Sequence, residues 1–98
     1  MISVKIYKQG CDIIIGACDE ELIGKKFTKG KIQIDVSSNF YDGERVNKTT
    51  LKKYLENATI ANLVGIKTVK CAVEMGLVDP KFVLKIKGVP HAQMVRML

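Results

Sequence analysis

The chain contains no tryptophan, one histidine and two prolines. Its longest apolar stretch, Ile13 to Cys18 with Gly16 inside it, is far short of the ~20 residues that a membrane span needs. Three cysteines, Cys11, Cys18 and Cys71, cannot all pair within the chain, and none makes a Cys-x-x-Cys spacing. A disulfide framework is therefore not expected. A zinc site from these cysteines and His91 is disfavoured because Cys11 and Cys18 fall on opposite faces of one strand pattern. The N-terminus lacks the basic head and long apolar middle of a secretory signal. Internal repeats, low-complexity stretches and linkers are absent as well. Together these absences predict a cytoplasmic protein with no membrane segment, no metal and no cofactor.

What is present suffices for one domain. A chain of 98 residues buries roughly two-thirds of its unfolded surface, and the 47% of hydrophobic residues supply one core, so residues 1–98 are expected to form a single unit with an apolar tail from about residue 88. With 16 Lys and Arg against 10 Asp and Glu the net charge is +6, which favours RNA, DNA or an acidic protein surface as partner.

The chain opens on Ile2, Val4 and Ile6 alternating with Ser3, Lys5 and Tyr7, the pattern of a half-buried strand. After a turn at Gly10, residues 12–18 are apolar on both faces and read as a central strand, in which Gly16 allows a bulge or a close approach of another backbone segment. Asp19 is positioned to cap one helical turn over residues 18–24. A Lys-bearing loop at 25–31 leads into a third strand at 32–36, followed by a polar turn region carrying Phe40 and Tyr41. From Asn47 the period becomes helical, with Asn47 or Thr49 able to cap, through Leu51, Tyr54, Leu55 and Ala58. It continues from Thr59 through Leu63, Val69, Ala72 and Val73 to a Gly76 cap. Phe82, Leu84 and Ile86 alternate as a last strand. The expected fold is α+β: a largely antiparallel sheet of about four strands with two helices on one face, in the order β-β-β-α-α-β. Since the central strand has two apolar faces, the side opposite the helices must also be covered. The tail, with Met94, Val95, Met97 and Leu98, is the expected cover, turned by "GVPHAQ" at 88–93 as a corner, in the same chain or in a second copy.

Taken with "ATIANLVG" at 58–65, "GLVDP" at 76–80 and "CDEELIGKKF" at 18–27, this "GVPHAQ" string resembles an archaeal family known only as domain of unknown function 424. "FYDG" at 40–43 is similar to the same family, so the likeness spans nearly the whole chain. The resemblance implies an archaeal cytosolic protein and carries no catalytic or binding residue.

Three functional readings arise from the residues themselves. The first is an RNA- or ribonucleoprotein-binding module. Lys25, Lys26, Lys29 and Lys31 cluster on one loop and strand, Lys81, Lys85 and Lys87 line the last strand, and Lys5 and Tyr7 point outward from the first, with Tyr41 a further base-stacking ring. No aromatic-rich strand of the RNA-recognition type accompanies them. The second is a protein-interaction or homodimeric subunit built on the apolar tail. The third is an enzyme with a cleft near His91, Gln93 and Asn62. His91 is the one side chain that titrates near neutrality, but no carboxylate stands at a diagnostic spacing from it, so an enzyme is the less favoured outcome. The plain alternative for Asn62 is hydrogen bonding at a helix start. Cys18 beside three acids and Cys71 read as small core residues.

Overall fold

A computed structural model of the chain describes residues 1–97, so Leu98 of the apolar tail lies outside the described residues. Strands β1 (Ile2–Gln9) and β2 (Asp12–Asp19) form an antiparallel hairpin. A second, separate hairpin follows from β3 (Lys26–Lys29) and β4 (Ile32–Asp35). Next come a single turn of helix, α1 (Ser38–Tyr41), and a short strand, β5 (Glu44–Val46). Helix α2 (Lys48–Asn57), strand β6 (Ile60–Val64) and helix α3 (Ile66–Glu74) lead to β7 (Leu84–Ile86) and β8 (Val89–Val95). The main sheet has six strands in the order β5-β1-β2-β6-β8-β7, with β2 and β6 parallel and every other neighbouring pair antiparallel.

Each face of the sheet has its own core. On one side Ile2, Val4, Ile15, Ala17, Ala61, Leu63, Ala92 and Met94 pack with Leu51 and Leu55 of α2 and Val69, Cys71 and Ala72 of α3. On the other, Cys18, Val64 and Ile86 are covered by Ile34 of the β3–β4 hairpin, by Val36, and by Tyr41 of α1. The helix termini are tied locally and across the fold. Asn47 accepts the Thr50 N–H at the start of α2, and the Arg96 guanidinium donates to the carbonyls of Leu55, Glu56 and Ala58 at its end. No helix among the described residues is long and apolar enough to cross a membrane.

The α+β class and the placement of the two longer helices on one face agree with the sequence. The sheet differs: it is mixed and six-stranded, and a third, short helix sits on the opposite face. Strands β5, β6 and β8 join the sheet, while the expected third strand at 32–36 pairs with β3, formed within the expected loop at 25–31, in the separate hairpin. Residues 60–64 are a strand, with Ala61 and Leu63 facing the helices and Ile60, Asn62 and Val64 facing away, so helix α3 begins only at Ile66. The turn after β2 is a 3-10 turn over Glu20–Leu22 that Asp19 does not cap with its side chain. Of "GVPHAQ" only Gly88 lies in a turn: the chain reverses at Lys87 and Gly88, both with positive φ, and the residues from Val89 run as β8 between β6 and β7 rather than as a corner. The tail therefore belongs to the sheet. Met94 packs under the helices, and the face opposite is covered by the β3–β4 hairpin and α1 instead.

Candidate functional site

The sheet register sorts the candidate residues into rows. On the face away from α2 and α3, Lys5, Gly16, Asn62 and Gln93 lie side by side on β1, β2, β6 and β8, and Tyr7, Ile14, Ile60 and Val95 form the next row. Neither row contains a carboxylate. The Gln93 amide donates to Asn62 Oδ1 at 2.8 Å, so Asn62 is a cross-strand partner rather than a helix-start residue. Because β8 stays extended, His91 shares this face, opposite Val64 and Leu84. Asn62, Gln93 and His91 are thus brought together, but on a sheet surface. Two grooves of about 410 and 420 Å³ elsewhere on the molecule are lined by other residues.

Lys5 and Tyr7 have a local task. Outward residues at alternate positions of β1 all donate to the carbonyls of α1: Ser3 Oγ to Tyr41 at 2.7 Å, Lys5 Nζ to Asn39 at 2.9 Å, and the Tyr7 hydroxyl to Asn39 at 2.9 Å and Phe40 at 3.0 Å. A helix of one turn cannot satisfy its own last carbonyls, and β1 supplies the donors. The Tyr7 ring stacks on Phe40 at a centroid distance of 5.2 Å, and the Lys5 ammonium lies 5.5 Å from the Tyr7 centroid. Tyr41 is buried, and burial pushes its hydroxyl pKa up to about 12, so its ring does not reach solvent as a stacking platform.

Strand order divides the lysines. β1 lies next to one edge strand while β7 is the opposite edge, so Lys5 does not join Lys81, Lys85 and Lys87 in one surface. What does come together is the β3–β4 hairpin and β7, because β3 lies against β7. Lys25, Lys26, Lys29 and Lys31 are all exposed on that hairpin, and Lys87 is exposed at the turn after β7. Among the described residues none of these five forms an ion pair. The hairpin's one acid is Asp35, opposite Lys26.

Burial holds the His91 imidazole below its ordinary value of 6.5, and among the described residues no carboxylate is hydrogen-bonded to it. The unfolded chain therefore takes up this proton first as pH falls. Its contribution to stability is complete above pH 6.5 and is lost as pH drops through the lower folded value. Denaturant titrations at about pH 7.5 and about pH 5 are expected to show a larger loss for the native chain than for His91→Gln. Equal losses would place the imidazole in water.

The thiols separate cleanly. Cys18 and Cys71 are buried and Cys11 is exposed. Burial and then the Asp19 charge push the Cys18 thiol up to about 12, and burial raises Cys71 as well. Native protein should therefore release one equivalent of thionitrobenzoate from Ellman's reagent, all of it lost in Cys11→Ser, with two more after denaturation. Fast labelling of Cys18 in the native state would contradict its packing.

Asp19 is also placed differently from the sequence reading. Its side chain crosses from the end of β2 to the start of α3, accepting from Lys67 N at 3.1 Å, Thr68 N at 3.0 Å and Thr68 Oγ1 at 2.8 Å. Gly65 occupies the cap position of α3 with φ 110°, and a Cβ there would stand 2.4 Å from Asp19 Cγ. The helix start thus carries no cap of its own and takes one from β2. A short helix led by glycine with no Ser, Thr, Asp or Asn before it is the signal that could have found this contact.

With this geometry described, comparison with known proteins bears on family and fold. The sequence matches the family described as "Protein of unknown function (DUF424)" over residues 7–97. No curated protein matches it. The fold is similar to the crystal structure of an uncharacterized conserved protein from Methanopyrus kandleri, with a TM-score of 0.76 at 20% identity over 99% of this chain and 95% of that one. The chain belongs to the DUF424 family of proteins of unknown function.

Proposed function

We propose that this chain is a small archaeal cytosolic module that binds RNA or a ribonucleoprotein, holding phosphates with lysines and making few base-specific contacts. The observation that supports the reading is the β3–β4 hairpin. It carries Lys25, Lys26, Lys29 and Lys31 on a projecting two-stranded ribbon, adjoining Lys87, with none of these ammonium groups in an ion pair among the described residues. The outer side of the ribbon adds Thr28 and Gln33, polar groups able to reach sugar and phosphate oxygens.

Titration of a short mixed-sequence RNA by fluorescence anisotropy at several salt concentrations tests the proposal. Four phosphate contacts on a single strand give a log–log salt slope of roughly −3. The K26E/K29E/K31E variant should bind at least tenfold more weakly with a shallower slope. Absence of binding at low salt, or binding unaffected by the reversal, would end this reading; equal affinity for duplex DNA would reduce it to general polyanion attraction.

A further inference from the structure

A different part of the molecule carries a second site. Between α3 and the β7–β8 edge runs a groove of about 410 Å³ whose floor includes Val69 and Val73 of α3, Val83 ahead of β7, and Pro90 of β8. Its charged lining consists of Lys70 and Lys85, and no acidic residue lines it. The volume falls within the roughly 300–1,000 Å³ of ligand and side-chain pockets. Lys85 faces this groove because it alternates with Leu84 and Ile86, and Ile86 points into the core on the other face. Phe82 stands beside the groove, 81% exposed. β7 is an edge strand, and among the described residues its outer side has no ladder partner.

We infer that this groove docks an extended acidic segment of a protein partner. Three observations fix the chemistry. The floor is aliphatic, matching aliphatic or aromatic side chains, and the one exposed ring beside it, Phe82, is not part of the lining, so successive bases find no row of rings to stack on. Two ammonium groups over that floor, neither in an ion pair among the described residues, select a carboxylate-bearing chain and repel a basic one. An open strand edge against a helix offers backbone hydrogen bonds to an extended peptide, which can place alternate side chains into the groove. Because β7 has only three residues, anchoring falls mainly on side chains.

Selection of random peptides displayed on phage against the immobilised protein, with depletion against Lys70→Glu/Lys85→Glu, reads the inference directly. Both lysines are exposed and outside any ion pair among the described residues, so the double variant should keep the melting temperature of the native chain. The expected peptides carry Asp or Glu around one or two large apolar residues. A synthetic representative should bind the double variant at least tenfold more weakly and shift amide resonances along α3 and β7. The inference fails if no peptide survives depletion, if the survivors lack acids, or if a single-stranded RNA oligonucleotide perturbs the same amides while the peptides do not. Lys70 lies on α3 and Lys85 points to the α3 side of β7, whereas the β3–β4 hairpin packs on the other side with Ile86, so failure here leaves the RNA reading intact, and the converse holds.

Discussion

Asp19→Ala is expected to destabilise the protein by about 3 kcal/mol, the sum of a lost helix cap and donors left without an acceptor in the interior. Asp19 is 4% exposed and Thr68 is fully buried, so water cannot easily replace the missing carboxylate. Thr68 loses partners for both its N–H and its hydroxyl, and Lys67 loses one for its N–H. The negative charge at the positive end of α3 disappears as well. For a domain of this size the change corresponds to a fall in melting temperature of roughly 12–24 °C. Asp19→Asn keeps one acceptor oxygen but turns an amide N–H₂ toward a donor, and should fall between the two. Thr68→Val removes the hydroxyl, so part of its cost is already contained in Asp19→Ala, and the double variant should lose less than the two single changes together. Strict additivity in thermal denaturation would mean that the carboxylate does not hold Thr68.

Gly16→Ala is expected to cost about 2 kcal/mol, although alanine is intrinsically the better strand residue by roughly 0.5–1 kcal/mol. The opposing effect is contact. A Cβ at Gly16 would lie 2.6 Å from the Phe40 carbonyl oxygen and 2.7 Å from two ring carbons of Phe40. The ring could rotate, but the carbonyl belongs to α1, which Ser3, Lys5 and Tyr7 hold in place. Relief therefore requires lifting α1 from the sheet, and steric cost exceeds the backbone gain. Thermal denaturation reads the loss, and near-ultraviolet circular dichroism reads the disturbed Tyr7–Phe40 stack. Gly16→Val should be worse. A melting temperature unchanged in Gly16→Ala would show that Phe40 is not seated on this strand.

These two residues mark where sequence reading succeeds and where it stops. Gly16 inside a strand apolar on both sides allowed a bulge or a close approach, and the structure selects the second, with an unbroken register and Phe40 seated on it. The β1 alternation and the Gly76 turn were legible because each depends on residues within one or two turns of chain, and of the two caps open at the start of α2, Asn47 or Thr49, the structure selects Asn47. Asp19 was not, since its partners lie 48 and 49 positions away and its neighbours offered a plausible local cap. β6 escaped because Ile60, Leu63 and Val64 fit a helical spacing while Ala61 and Leu63 fit a strand, and only the parallel pairing with β2 decides. β8 escaped because a proline and a histidine interrupt its pattern; Pro90 is tolerated as the second residue of the strand, where its carbonyl accepts from Gly65 N. At the candidate sites the lysine hairpin could be read from composition. The α3–β7 groove could not, because Lys70 and Lys85 meet only through the fold.

The parallel pairing of β2 with β6 has a kinetic consequence. Ile14 stands opposite Ile60, so this ladder forms only after a long intervening loop closes, whereas the β1–β2 and β7–β8 hairpins close over two residues each. Folding should therefore begin at the two hairpins and be limited in rate by the joining of the two halves through β6. Until that step β2 and β6 present unpaired edges of apolar sequence, and variants that slow it are the ones expected to aggregate during refolding.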